Sequence, residues 1–205
     1  MIELNREEPK AYDYSFLEKQ IVLIPMHHLG KQEFYDNVRS MVISYKADGY
    51  KVYYELISTQ FTADSLGKDL IRRKVRKLKG FNGTYSENAK GSMFEKYVQQ
   101  PAYSDMGISD GDVRADVDYL ELITKWETTH GPIVLDSTDL STPFTERYEK
   151  GTFYSRKQYN ETFIHFRNQR VIDLIKQEPE KRILLLYGAG HRKDLAHSFK
   201  KGGSE

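Results

Sequence analysis

Ile21-Val22-Leu23-Ile24-Pro25-Met26-His27-His28-Leu29-Gly30 is the stretch whose reading decides the fold. Its first four residues are β-branched or leucine throughout, which is the make-up of a strand buried on both faces, as in parallel sheets. Pro25 cannot donate to a sheet ladder and is expected to end the strand, delivering His27 and His28 into a loop closed by Gly30. The arrangement returns near the other end of the chain, where Ile183-Leu184-Leu185-Leu186-Tyr187 runs into Gly188-Ala189-Gly190-His191. Two buried strands that each end in a histidine-bearing turn point to the crevice beyond the carboxyl ends of an open α/β sheet, where ligands of such sheets bind.

Helix and strand patterns alternate outward from these two runs. Residues 1–20 are polar and tyrosine-containing, and are expected to form a lead-in packed over a sheet edge. From Glu33 to Asp48, one helical face carries Phe34, Val38, Met41, Val42 and Tyr45, and Gly49 follows as a stop. Lys51–Ile57 is rich in Val, Tyr and Ile and reads as a second strand, with Glu55 near its carboxyl end. Asp64 is an acceptable N-cap for a helix to Lys79, with Gly80 as its stop. Periodicity is then lost over 80–111, which is either a lid over a site or a surface excursion with a short helix around Met93–Gln99.

Val113, Val117, Leu120, Ile123 and Trp126 mark a third helix that stops before Gly131-Pro132. Ile133-Val134-Leu135-Asp136 is a short apolar run that ends in a carboxylate. Helical patterns resume from Asn160 to Gln177 and again from Lys193 to Lys201. On the first of these, Arg167 and Asn168 fall within about 60° of the stripe Ile164, Val171, Ile175. A guanidinium on an inward face must find acceptors, either in a buried structural ion pair or by positioning an anion or carboxylate. The alternation predicts an α/β fold, three layers α/β/α with a mainly parallel central sheet.

Length and composition narrow the function classes. A chain of 205 residues fits one well-filled domain, with a possible lid insertion at 80–111. Hydrophobic residues at 39% and charged residues at 30% are a globular balance. A formal net charge of +1 provides no general attraction for a polyanion, so nucleic acid is not expected as a partner. The basic cluster Arg72, Arg73, Lys74, Arg76, Lys77 and Lys79 is read as the solvated face of an amphipathic helix. The absence of cysteine excludes disulfides, thiolate metal sites and cysteine nucleophiles. No apolar run approaches the ~18 residues of a membrane helix, and the polar start carries no signal peptide. A soluble protein is expected, cytoplasmic or exported with its signal removed.

If the apolar runs are neighbouring parallel strands, His27/His28, Glu55 and His191 converge at one end of the sheet, with Asp136 ending a fourth run. Two imidazoles and a carboxylate, from His28, His191 and Glu55, can bind a divalent metal and leave a position open for water. Without a metal, one histidine can act as general base, the carboxylate can orient it, and the second histidine or Arg167 can stabilise an oxyanion. Gly188-Ala189-Gly190 lacks the third glycine and the lysine of a phosphate loop, which argues against nucleotide binding.

These motifs resemble the TraB/PrgY/GumN family, related to the Tiki proteins and more distantly to the erythromycin esterases and ChaN. Gly188-Ala189-Gly190-His191 is similar to the family's Gly-x-Gly-His motif, Arg167-Asn168 to its Arg-Asn pair and Glu55 to its first glutamate. The first Gly-x-x-His motif departs, since Pro25 holds the glycine position and His28 becomes the better counterpart. The resemblance implies an EreA/ChaN-like α/β fold and a hydrolytic site for a peptide or small-molecule ester. Catalysis would rest on His28, Glu55, Arg167 and His191, and substrate contacts on His27, Asn168, Gly188 and Gly190. A divalent Mn, Co or Zn ion on His28, Glu55 and His191 is implied by the Tiki branch and metal-free chemistry by the esterase branch. A non-catalytic peptide-binding or sequestering protein of the same fold is the alternative.

Overall fold

A computed structural model describes residues 5–81, 96–151 and 153–202. Residues 82–95 of the expected lid lie outside the described residues, among them Met93–Glu95 of the expected short helix. The chain divides into two compact units, one of Met1–Glu55, Thr84–Ala115 and Val171–Glu205, the other of Leu56–Gly83 and Asp116–Arg170.

Apolar runs dictate the first unit. Its strands are β1 (Tyr12–Phe16), β2 (Lys19–Met26), β3 (Leu29–Gly30), β4 (Lys51–Tyr54), β5 (Val98–Gln99), β6 (Val113–Arg114) and β7 (Arg182–Gly188). Five of them form one sheet in the order β1-β2-β7-β4-β6, and β3 pairs with β5. Only β1 runs antiparallel in the larger sheet; β2 with β7, β7 with β4 and β4 with β6 are parallel. Side chains alternate across the pleat. Ile21, Leu23, Tyr53, Leu185 and Tyr187 pack on one face with Val171, Ile172, Ile175, Leu195 and Phe199. On the other face, Val22, Ile24, Val52, Leu184 and Leu186 meet Phe34, Tyr35, Val38 and Val42. Helices therefore cover both faces: α1 (Gln32–Ala47) on one, the second half of Phe166–Gln177 and the helix Arg192–Gly202 on the other. Each fully buried side chain of this kind stabilises the fold by about 1.5–3 kcal/mol relative to exposure.

Three expectations are corrected within this unit. Pro25 does not end β2; it pairs in register with Tyr187, and the strand continues to Met26. The ladder with β1 stops at Leu23, so beyond that residue β2 is flanked by β7 alone and a missing N–H is tolerated. Residues 12–16 form the edge strand itself rather than a cover over it, joined to β2 through Leu17 and Glu18, both at positive φ (48° and 60°). Val98–Gln99, expected in a short helix, is a strand held by Leu29–Gly30.

The second unit is helical: α2 (Ser65–Lys79), α3 (Tyr119–His130), α4 (Ser137–Ser141), α5 (Arg156–Tyr159), a π-helical turn Asn160–His165, and the start of α6 (Phe166–Gln177). The last helix of the chain, Arg192–Gly202 of the first unit, is α7. Val75, Leu78, Val117, Leu122, Ile123, Trp126, Ile133 and Phe163 form the second unit's core. Asp64 caps α2 by accepting from the Gly67 N–H at 2.7 Å, and Gly80 at φ 79° ends it in the left-handed conformation glycine favours.

The third helix starts at Tyr119 rather than near Val113, because Asp118 and Glu121 form a reciprocal capping box and Val113 belongs to β6. Ile133–Leu135 is not a strand: Val134 is 73% exposed, and Asp136 is the N-cap of α4. The basic face of α2 is not simply solvated. Arg76 is 3% exposed; its guanidinium donates to the carbonyls of Asp139 (2.6 Å) and Thr142 (2.9 Å) and lies over the rings of Phe144 and Tyr148. Arg73 reaches the same two carbonyls, and Lys77 binds the buried carboxylate of Asp139. Among the described residues, no helix is long and apolar enough to cross a membrane.

Candidate functional site

Strand register decides which side chains meet. Met26 lies opposite Gly188 and Tyr54 opposite Leu186, so the turns after β2, β4 and β7 emerge at one end of the sheet. The Glu55 N–H extends the ladder by donating to the Leu186 carbonyl at 3.0 Å, which fixes the backbone from which its carboxylate projects. That carboxylate accepts a hydrogen bond from the Gly188 N–H through one oxygen. Its other oxygen lies 3.6 Å from Nε2 of His191, an ion-pair separation rather than a direct hydrogen bond.

His191 closes the single 3-10 turn Ala189–His191 and is 4% exposed. The ring of Tyr187 stands edge-on to the imidazole, with centroids 4.8 Å apart and planes at 87°. The Tyr187 hydroxyl donates to the Ala115 carbonyl at 3.2 Å, so the ring that braces the histidine is itself anchored. A carboxylate beside an imidazole orients it and stabilises its protonated form, which suits a histidine to take up and release a proton near neutral pH.

The first histidine turn is organised differently. The His27 ring packs against Phe34 at 5.5 Å, and the His27 carbonyl accepts from the Tyr35 hydroxyl at 2.8 Å. His28 is exposed, and its carbonyl accepts from the Gln100 N–H at 2.9 Å. The β3–β5 pairing thus holds the backbone of this turn. Gly190 is exposed in the second turn, whereas the Gly188 N–H is given to Glu55. Among the described residues, no three His, Asp or Glu side chains are grouped so that they could hold a metal ion.

Arg167 and Asn168 belong to the second unit and are 6% and 2% exposed. Of the two readings of an inward guanidinium, Arg167 makes the buried ion pair: Nε donates to Asp116 Oδ1 at 2.9 Å and Nη2 to Oδ2 at 2.7 Å, while Nη1 reaches the Phe163 carbonyl at 3.3 Å. Such a fork is the arrangement guanidinium and carboxylate planes favour. Asp116 Oδ1 also accepts from the Val117 N–H at 2.8 Å. The π-helical turn immediately precedes Arg167's helix; such turns are rare and recur at functional sites.

Asp116 escaped sequence reading, although a lone carboxylate between Ala115 and Val117 was a usable signal of a buried charge in search of a partner. Asp136 is not at a strand end: Lys150 pairs with it, and it caps α4. In comparisons with protein-family models, curated proteins and solved structures, the chain matches none.

Proposed function

We propose that this chain is a hydrolase of a peptide or ester bond, an EreA/ChaN-like α/β protein of the TraB/GumN type, working at the carboxyl ends of β4 and β7. The observation that carries the reading is the pairing of Glu55 with His191 just beyond the carboxyl ends of two adjacent parallel strands, 3.6 Å apart and braced by Tyr187. In this reading His191 moves the proton, as general base toward water and then as acid toward the leaving group, and Glu55 keeps the imidazole oriented and offsets its charge. His28, exposed at the same end of the sheet, supplies the second imidazole.

In the metal-dependent form of this reading a divalent Mn, Co or Zn ion would supply an activated water, held by Glu55 and His191 with His28 drawn in from its exposed position, since the three are not grouped as ligands in this structure.

The experiment is elemental mass spectrometry on protein purified without chelator or His tag, paired with turnover of a panel of peptide and aryl-ester substrates. The His28→Ala/His191→Ala variant is the control. Turnover by the wild type and its loss in His191→Ala is the expected result. Stoichiometric metal lost in the double variant selects the metallohydrolase form, and turnover without metal selects the esterase form. Full activity in His191→Ala would refute the proposal. The exposure of His28 favours one other reading, a binding protein that captures peptides without cleaving them. Saturable peptide binding, no turnover and indifference to His28→Ala would select it.

A further inference from the structure

Gly188 is not needed for its own backbone. Its φ of −52° and ψ of 139° lie in the extended region open to every residue, unlike the left-handed Gly80 and Gly107. What glycine provides here is space. A Cβ at position 188 would lie 2.7 Å from Glu55 Oε2, 3.5 Å from its Cδ and 3.6 Å from Oε1. The first separation is well inside van der Waals contact, so the carboxylate would have to shift away from its seat to admit an alanine methyl. The same residue's N–H donates to that carboxylate oxygen. One oxygen is therefore pinned on the β7 backbone and the other is left 3.6 Å from His191 Nε2.

We infer that Gly188 is a positioning residue: through its bare Cα and its N–H it seats the Glu55 carboxylate against His191. The inference rests on Glu55 and His191 forming one working site. It converts the first glycine of Gly188-Ala189-Gly190-His191 from a substrate contact into a seat for an internal carboxylate. The geometry also explains why the seat lies on β7. Glu55 continues the β4 ladder one residue past Tyr54, and in a parallel pair that places its side chain beside the backbone just beyond Leu186.

The test is a thermal-denaturation cycle on the full chain with Gly188→Ala, Glu55→Ala and the double variant. It is read together with the ring 15N resonances of His191 in wild type, Gly188→Ala and Glu55→Gln at one fixed pH. Gly188→Ala is expected to lower the midpoint when Glu55 is present, because the carboxylate must leave its seat. When residue 55 is alanine it should leave the midpoint unchanged or raise it, because the backbone there accepts alanine and the unfolded chain loses freedom. The His191 resonances should move in the same sense in Gly188→Ala as in Glu55→Gln.

Equal midpoint losses in both backgrounds, or His191 resonances that ignore Gly188→Ala, overturn the inference. If Gly188→Ala alone does not fold, the double variant must still fold, and its failure to do so overturns the inference as well. None of these readouts uses turnover: a positive cycle in a protein that hydrolyses nothing would remove the hydrolase reading and leave the seat in place.

Discussion

Replacing either partner of the Asp116–Arg167 pair should be among the most damaging polar substitutions in the second unit. The carboxylate-bearing residue is 1% and the guanidinium-bearing residue 6% exposed, so neither charge left behind can regain water. Breaking a buried pair by removing one partner costs about 3–5 kcal/mol, against about 5–15 kcal/mol for the whole stability of a domain. Arg167→Met removes the fork that Nε and Nη2 make with the Asp116 carboxylate; about 3 kcal/mol is expected. Asp116→Ala also removes the Oδ1 that accepts from the Val117 N–H, which adds about 1 kcal/mol. The double replacement Asp116→Ala/Arg167→Met removes both charges, so its loss should fall short of the sum of the singles by about 2–3 kcal/mol.

The assay is urea unfolding followed by tryptophan fluorescence. Trp126 is the sole tryptophan, is 2% exposed and lies in the core of the second unit, so its signal reports the unit that holds the pair. A loss under about 1 kcal/mol for Arg167→Met, with an additive cycle, would refute the reasoning. It would return Arg167 to the role of an arm that positions a ligand.

Leu17 and Glu18 occupy left-handed conformations in a two-residue hairpin turn, where Asn-Gly is the favoured pair, so Leu17→Asn/Glu18→Gly should raise stability by about 1 kcal/mol or more, measured by thermal melt. Arg76→Lys keeps the charge but loses the fork that spans the Asp139 and Thr142 carbonyls, and should cost about 1–3 kcal/mol in the same fluorescence assay, while Arg72→Ala, at an exposed position, should be near neutral. Burial by itself would raise the Asp139 carboxyl, but hydrogen bonds from Lys77, Tyr148 and the Asp136 N–H outweigh it and hold the group well below the usual carboxylate range. A carboxylate depressed on folding stabilises above its unfolded pKa of about 4 and loses that stabilisation as the pH falls through its folded value, so acid should weaken the second unit and Asp139→Asn should flatten the dependence, seen as the urea midpoint against pH.

Much of this molecule is legible locally. The runs 21–24 and 183–187 are too apolar to be anything but buried, and they became the two central strands of the sheet. Leu195 and Phe199, spaced one helical turn apart, are both fully buried on the last helix. Arg167 and Asn168 are buried as the 100° period requires. Where local reading failed, a partner distant in the chain was the cause. Pro25 looks like a strand end until it is known that β1 has already stopped beside Leu23. Val113 fits a helical stripe until β4 offers it a ladder. The α2 cations look solvated until the segment from Asp139 to Tyr148 folds onto them.

What the sequence determined by itself, then, is the set of elements and the class of fold: hydrophobic period and end signals are properties of neighbouring residues, and they dictate α/β layers with a mainly parallel sheet. What only the tertiary structure decided is who stands beside whom. The last strand, β7, inserts between β2 and β4, and this alone brings Glu55 to Gly188 and His191 from distant parts of the chain. The division into two units is equally hidden, because each is assembled from separate segments and no linker marks the crossings. Strand order and charge pairing are set by long-range packing, which compares whole arrangements of the chain, and no local window of sequence contains that comparison.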